Sequence, residues 1–195
     1  MIRLFVGLAL PDSLRQRLAV LAGGLPAARW TPPENLHLTL RFIGDIDEIT
    51  ADEIDANLKI LRLPAFPLEI GGLGTFNAGR RSYTLWVGAK YPPALRHLQE
   101  KIESAVTRAG CPPERRRFQP HITLAKLKDP PLGRLQDYIA GHNLFQATIA
   151  VSSFTLFSSQ LGHGAPVYRA ERDYPLAAAS PSPLVGEGGA REAGG

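Results

Sequence analysis

Apolar and polar positions alternate in two short stretches of this chain, Leu36-His37-Leu38-Thr39-Leu40 and Pro120-His121-Ile122-Thr123-Leu124. A period of two predicts a β-strand, whose successive side chains point to opposite faces. His37 and Thr39 therefore share one face, with Leu38 and Leu40 on the other, and His121 and Thr123 stand in the same relation to Ile122 and Leu124. One polar pair on a half-buried strand is ordinary; two with matching apolar flanks are not. The surroundings repeat as well. Phe5-Val6-Gly7-Leu8 followed by Pro11-Asp12-Ser13-Leu14-Arg15 is echoed 81 residues later by Trp86-Val87-Gly88-Ala89 and Pro92-Pro93-Ala94-Leu95-Arg96, while the His-x-Thr pieces lie 84 apart. Strand, helix and His-x-Thr strand, twice in that order, predict two similar halves about a pseudo-twofold axis with both polar strand faces on one cleft.

The remaining pattern fills in the elements. A buried strand is expected over 3–9, then a helix opened by Pro11-Asp12-Ser13 with Leu14, Leu18 and Leu21 on one face and Gly23-Gly24 as its stop. Pro32-Pro33 turns the chain into the first His-x-Thr strand, which ends near Gly44; a helix follows over 47–61 and a strand over 66–73. Gly71-Gly72, Gly74 and Gly79 lead into no helix start and no Lys-Ser/Thr, so they read as turns between strands rather than a phosphate cradle. Next come a strand over 83–88, a long helix from Pro92 or Pro93 to Gly110, the second His-x-Thr strand over 118–125, and a short helix from Pro130-Pro131 through Ile139. A long β-rich stretch covers 145–157, and a last strand over 167–172 is reached through a Gly162-His163-Gly164 turn. Connections too short for parallel crossovers predict an α+β fold: two pseudo-symmetric lobes of mainly antiparallel sheet, helices outside and a central cleft. The folded part is expected to span 1–176; Ser180-Pro181-Ser182-Pro183 and the Gly/Glu/Ala end predict a disordered tail over 177–195.

Composition narrows the setting. The 195 residues, 44% hydrophobic and 21% charged, suit a soluble globular protein, and no run of about 18 apolar residues predicts a membrane span. The apolar start is broken by Pro11-Asp12 and reads as a strand rather than a signal peptide. A single Cys111 excludes an internal disulfide and fits a reducing cytoplasm, where it is expected as a structural or incidental thiol. The net charge of +4 is unevenly spread: acids crowd over 45–55, whereas Arg80-Arg81 and Arg115-Arg116-Arg117 are basic. The second cluster lies just before His121, so Arg117 is a candidate contact for a polyanion such as RNA; a solvated loop is the equal alternative for Arg115 and Arg116. The other histidines are placed on a helix (His97), a loop (His142) and a Gly-flanked turn (His163), all at the surface and without metal-ligand spacing. No metal, no cofactor and no protein partner is called for, and a monomer is expected.

Two imidazoles and two hydroxyls across a cleft supply a base, an acid and donors to an oxyanion, a set able to cleave a phosphoester without a metal. Which histidine is acid and which base does not follow from halves so alike. Trp30 and Phe42 are expected in the core, with nucleobase stacking as the alternative that makes Phe42 a candidate substrate contact.

His37-Leu38-Thr39-Leu40 and His121-Ile122-Thr123-Leu124 resemble the paired His-x-Thr-x motifs of the 2H phosphoesterase superfamily, and the flanks resemble its RNA 2′,3′-cyclic phosphodiesterase branch, also called 2′-5′ RNA ligases. The likeness spans 3–176 and includes Arg29-Trp30, Leu40-Arg41-Phe42-Ile43-Gly44 and Phe118-Gln119-Pro120. It implies hydrolysis of a terminal 2′,3′-cyclic phosphate on RNA or a nucleotide to a 2′-phosphate, with His37 as proton donor, His121 as proton acceptor, and Thr39 and Thr123 on the non-bridging oxygens. Many relatives carry arginine five residues after the second histidine. Lys126 stands there, keeping the charge but not the planar fork. Strict alternation puts Lys126 opposite His121 unless the strand ends or bulges first, so Arg41, in phase with His37, is the rival cation. Joining RNA ends through a 2′-5′ linkage and non-catalytic binding of RNA or nucleotide phosphate are the alternative functions; pure binding would more naturally use arginine than two histidines.

Overall fold

The computed structural model describes residues 1–160 and 166–178. In chain order its elements are β1 (Ile2–Ala9), α1 (Asp12–Ala19), β2 (Ala28–Trp30), a 3-10 turn (Pro33–Asn35), β3 (His37–Ile46), α2 (Glu48–Lys59) and β4 (Phe66–Asn77). They continue with β5 (Ser82–Ala89), α3 (Pro93–Arg108), β6 (His121–Lys128), α4 (Leu132–His142), β7 (Gln146–Val151), β8 (Ser153–Gln160) and β9 (Val167–Pro175). Among the described residues proline starts three of the four α-helices: Pro11, Pro92 and Pro131 hold the position before the first turn, where amides have no acceptor within the helix. The fourth, α2, starts at Asp47, whose carboxylate accepts from the Thr50 N–H at 2.8 Å.

The strands join in one sheet of order β7-β4-β5-β6-β3-β1-β8-β9, with β2 added to β6, and every strand pairing in it is antiparallel. Read outward from the middle, each half presents a His-x-Thr strand (β6 or β3), then a strand opening the repeat (β5 or β1), then two more. This is the expected pseudo-symmetry. The halves meet at one backbone pair, Leu38 opposite Ile122, both fully buried. The helices clasp the halves together, since each pair takes one member from either side. Tyr138 Oη on α4 donates to the Leu21 carbonyl just after α1, and Arg17 of α1 donates to the Gln146 carbonyl at 2.6 Å. On the other side Asn57 of α2 donates to the Ala105 carbonyl of α3 at 3.2 Å.

Four expectations are revised. Gly71, Gly72 and Gly74 lie in strand, and only Gly79 keeps the expected turn, its carbonyl accepting from Ser82 N–H at 2.7 Å: β4 runs to Asn77 with a register shift between Ile70 and Leu73 and Gly72 at φ 74°. Gly74 is required because a Cβ there would lie 2.4 Å from the Trp86 indole on the paired strand. The helix expected to end at Ile139 extends to His142, whose ring stacks on Tyr138 at 4.2 Å while Nδ1 donates to the Tyr138 carbonyl at 2.8 Å; His142 is half-buried on a helix, not exposed on a loop. The stretch 145–157 divides at Ser152 into β7 and β8. Pairing also continues past Leu176: Ala177 N–H donates to the Leu63 carbonyl at 2.8 Å, and its own carbonyl accepts from Ala65 at 2.7 Å. The Gly162-His163-Gly164 turn and residues 179–195 lie outside the described residues.

Candidate active site

The Leu38–Ile122 pair puts the two motifs side by side. Because the strands are antiparallel, His37 comes opposite Thr123 and Thr39 opposite His121, while Leu38 and Ile122 point into the core. Past this point β3 and β6 part, and β2 takes over the pairing with β6, joining Arg29 to Lys126 and Trp30 to Ala125. The opening is a cavity of about 230 Å³ lined by all four motif residues together with Trp30, Lys126 and Tyr168.

Both imidazoles are oriented by the same contact. His37 Nδ1 lies 2.7 Å from the Asn35 carbonyl and His121 Nδ1 lies 2.7 Å from the Gln119 carbonyl, in each case two residues back along the chain. A carbonyl oxygen only accepts, so Nδ1 carries the hydrogen in both rings and Nε2 is left to exchange protons. His37 Nε2 shares a 2.9 Å hydrogen bond with Thr39 Oγ1. Aromatic rings pack against each imidazole: Phe5 (4.7 Å) and Tyr168 (5.1 Å, edge-on) against His37, Phe76 (4.8 Å, edge-on) against His121. Burial pushes the His37 pKa below its ordinary value; the Asn35 carbonyl works against that shift and the charge of His121 adds to it. Burial also raises the Tyr168 pKa, so its hydroxyl stays protonated as a donor at the cavity wall.

A bulge decides which of the two rival cations lines the cavity of the two histidines. On β6 the register slips so that Thr123 faces Trp86 and Ala125 faces Leu85, leaving Leu124 as an extra residue. Leu124 and Ala125 both point inward, and Lys126 returns to the face of His121 and Thr123. The same slip occurs on β3, where Thr39 faces Gly7 and Arg41 faces Val6, leaving Leu40 extra. There the inward position falls to Arg41, and Phe42 returns to the cleft face, 48% exposed. Phe42 is therefore not a core residue, whereas Trp30 does pack partly against the core, with Tyr138 6.0 Å away. The Arg41 side chain is 6% exposed. Its Nε approaches Glu103 Oε2 of α3 to 2.5 Å off the N–H axis, and its remaining nitrogens donate to the Phe42 carbonyl and, at 2.5 Å, to the Pro112 carbonyl. Arg41 is thereby tied into the fold beside the site, through Glu103 and two carbonyls, at the wall of the larger chamber described below.

A second chamber of about 630 Å³ adjoins the first, sharing Thr39, His121, Thr123 and Lys126 with it. Phe42, Phe76, Arg117 and Phe118 line it. Of the residues around the two chambers, Arg29, Asn35, Tyr168 and Phe76 escaped the reading of the sequence as site residues. The contacts that orient the histidines gave no signal by residue type, since Asn35 and Gln119 make them through main-chain carbonyls. His97 is exposed on α3, and among the described residues no three His, Cys, Asp or Glu side chains converge as metal ligands.

With this geometry in hand, comparison with known proteins is decisive. The family model described as the 2′-5′ RNA ligase superfamily matches residues 10–163. The chain belongs to this superfamily. It is 34% identical over 160 residues to an RNA 2′,3′-cyclic phosphodiesterase of Aeropyrum pernix, covering 80% of this chain and 89% of the relative. It is 31% identical over 175 residues to the protein of the same name in Escherichia coli K12, covering 85% and 92%. The crystal structure of E. coli LigT complexed with 3′-AMP superposes with a TM-score of 0.73 at 29% identity, covering 90% of this chain and 98% of LigT.

Proposed function

We propose that this protein hydrolyses RNA 2′,3′-cyclic phosphodiester ends to 2′-phosphomonoesters by acid–base catalysis between His37 and His121, without a metal, in the cytoplasm. The observation that carries the reading is the paired arrangement of the imidazoles: two rings on one cavity, each with Nδ1 engaged by its own main chain, which leaves Nε2 as the nitrogen for proton transfer. The name shared by the relatives in A. pernix and E. coli supports the same substrate.

The chemistry follows from positions. Water attacks phosphorus in line while His121 Nε2 takes its proton; the bond from phosphorus to the ribose 3′ oxygen breaks, and His37 Nε2–H protonates that oxygen. The 2′ ester bond remains, which gives the 2′-phosphate. Thr39, Thr123 and Lys126 meet the charge on the non-bridging oxygens, a task done elsewhere by a metal ion. His37 is the buried ring, so it is neutral in the empty site near neutral pH; a phosphate anion arriving against it favours its charged form and loads the acid. The test is incubation of the protein with RNA ending in a 2′,3′-cyclic phosphate in excess chelator. The expected product is the 2′-phosphomonoester, with either His37→Ala or His121→Ala slower by roughly 10²–10⁴-fold. Activity abolished by chelator and restored by added metal would overturn the metal-free mechanism, and a histidine variant at the wild-type rate would remove that ring from it.

A further inference from the structure

The two bulges are one device used twice, yet they deliver different chemistry. Lys126 and Phe42 lie 84 positions apart, the spacing of the histidines themselves. Lys126 places a cation where the two chambers meet, whereas Phe42 turns a half-exposed phenyl ring into the larger chamber alone. Arg117, in the loop before β6, lines that same chamber. It is exposed and, among the described residues, has no acidic partner, unlike its neighbour Arg116, which is tied to Glu114. An open aromatic face beside a free guanidinium is what a single strand of nucleic acid needs, a platform for a base and a charge for a phosphate.

Size points the same way. The chamber holding both imidazoles, at about 230 Å³, lies below the roughly 300–1,000 Å³ of pockets that enclose whole ligands. It suits the reacting phosphate and its ribose. The adjoining chamber, at about 630 Å³, falls within that range and opens from the same residues.

We infer that the larger chamber is a subsite for the nucleotide immediately 5′ of the cyclic end, its base stacked on Phe42 and its link to the terminal ribose met by Arg117. The preferred substrate is then an RNA strand end rather than a free cyclic mononucleotide. This rests on the function proposed above, and the experiment separates the two. kcat/KM is measured for a dinucleotide with a 2′,3′-cyclic end and for a 2′,3′-cyclic mononucleotide. The proteins are the wild type, Phe42→Ala, Phe42→Trp, Arg117→Gln and Arg115→Gln, the last an exposed arginine of the same loop outside the lining.

The wild type is expected to favour the dinucleotide by about tenfold or more, within the range that stacking of one base on an aromatic ring supplies. Phe42→Ala should cut the ratio of the two kcat/KM values about tenfold, chiefly through KM, and Phe42→Trp should keep it. Arg117→Gln should lower the ratio and flatten its dependence on salt, while Arg115→Gln leaves the ratio alone. The subsite is refuted by a wild type with no preference, by Phe42→Ala losing equally on both substrates, or by Arg115→Gln matching Arg117→Gln. A wild type inactive on both substrates would instead refute the proposed function.

Discussion

Arg41 is where a phosphate ligand and a structural residue make opposite predictions, and Arg41→Met separates them. Methionine fills much of the same space without the charge. Removing one member of a buried ion pair costs roughly 3–5 kcal/mol, because the other charge is left without its partner. The Glu103 side chain is 23% exposed, so water recovers part of that loss, while the Pro112 and Phe42 carbonyls lose their donors at about 0.5–1.5 kcal/mol each. A net destabilisation of about 3 kcal/mol follows, which for a chain of this size lowers the melting temperature by roughly 6–12 °C. Replacing both partners, Arg41→Met with Glu103→Leu, should recover only the share due to the stranded charge, since the Phe42 and Pro112 carbonyls still lack donors and the Glu114 N–H loses its acceptor on Glu103. Urea unfolding followed by tryptophan fluorescence gives the stability, and initial rates on a cyclic-phosphate substrate well below the melting point give the activity. The expected result is a lower midpoint with kcat/KM within about fivefold of wild type, since Arg41 has no hand in proton transfer. An unchanged midpoint with kcat/KM down a hundredfold would show that the guanidinium holds substrate and that the account of the bulge is wrong.

Lys126→Met should lower kcat/KM by roughly 10–150-fold, the equivalent of one charged hydrogen bond, and Lys126→Arg should retain most of the activity; wild-type kinetics for Lys126→Met would place the amine off the phosphate. His37 has a pKa lowered below 6.5 by burial, so the unfolded chain takes up that proton at a higher pH than the folded one. Above the unfolded value the group adds no pH dependence, and as pH falls through it towards the folded value stability declines. An NMR titration should therefore put the His37 midpoint under 6.5 in the free protein and higher with inorganic phosphate bound; a midpoint at or above 6.5 without ligand would contradict the burial account. Gly74→Ala forces the Trp86 indole aside, at roughly 1–3 kcal/mol of stability, and should change the near-ultraviolet circular dichroism; an unperturbed spectrum at wild-type stability would show that the ring has room to move.

Alternation and repetition made the centre of the molecule legible. His37, Thr39, His121 and Thr123 could be placed on facing strands because a period of two fixes which side chains share a face, and the repeat fixes that the faces meet. The same rule fails three residues later, for a physical reason: a bulge inserts one residue and inverts the phase, and Leu40 and Leu124 look like any other apolar strand residue. Arg41 and Phe42 thereby exchange the roles alternation would give them, and Lys126 regains the face that alternation denies it. The glycine run before Asn77 misled because glycine marks a turn and a tight approach of neighbours equally well, and only the Trp86 ring lying across Gly74 distinguishes them. The end of α4 was hidden by Gly141; the cost of a glycine in the last turn is offset by the stacking of His142 on Tyr138.

The acceptors that fix the histidine tautomers, at residues 35 and 119, belong to the main chain. In sites where a carboxylate side chain does this work, one point mutation removes it. Here any amino acid at either position still offers the oxygen, so substitutions can accumulate there at no cost to the proton inventory. What a mutation must spoil instead is the path of the backbone entering each strand. Loss of activity by substitution at 35 or 119 would then travel with altered folding, and residues that look dispensable by type would prove sensitive to anything that bends the chain.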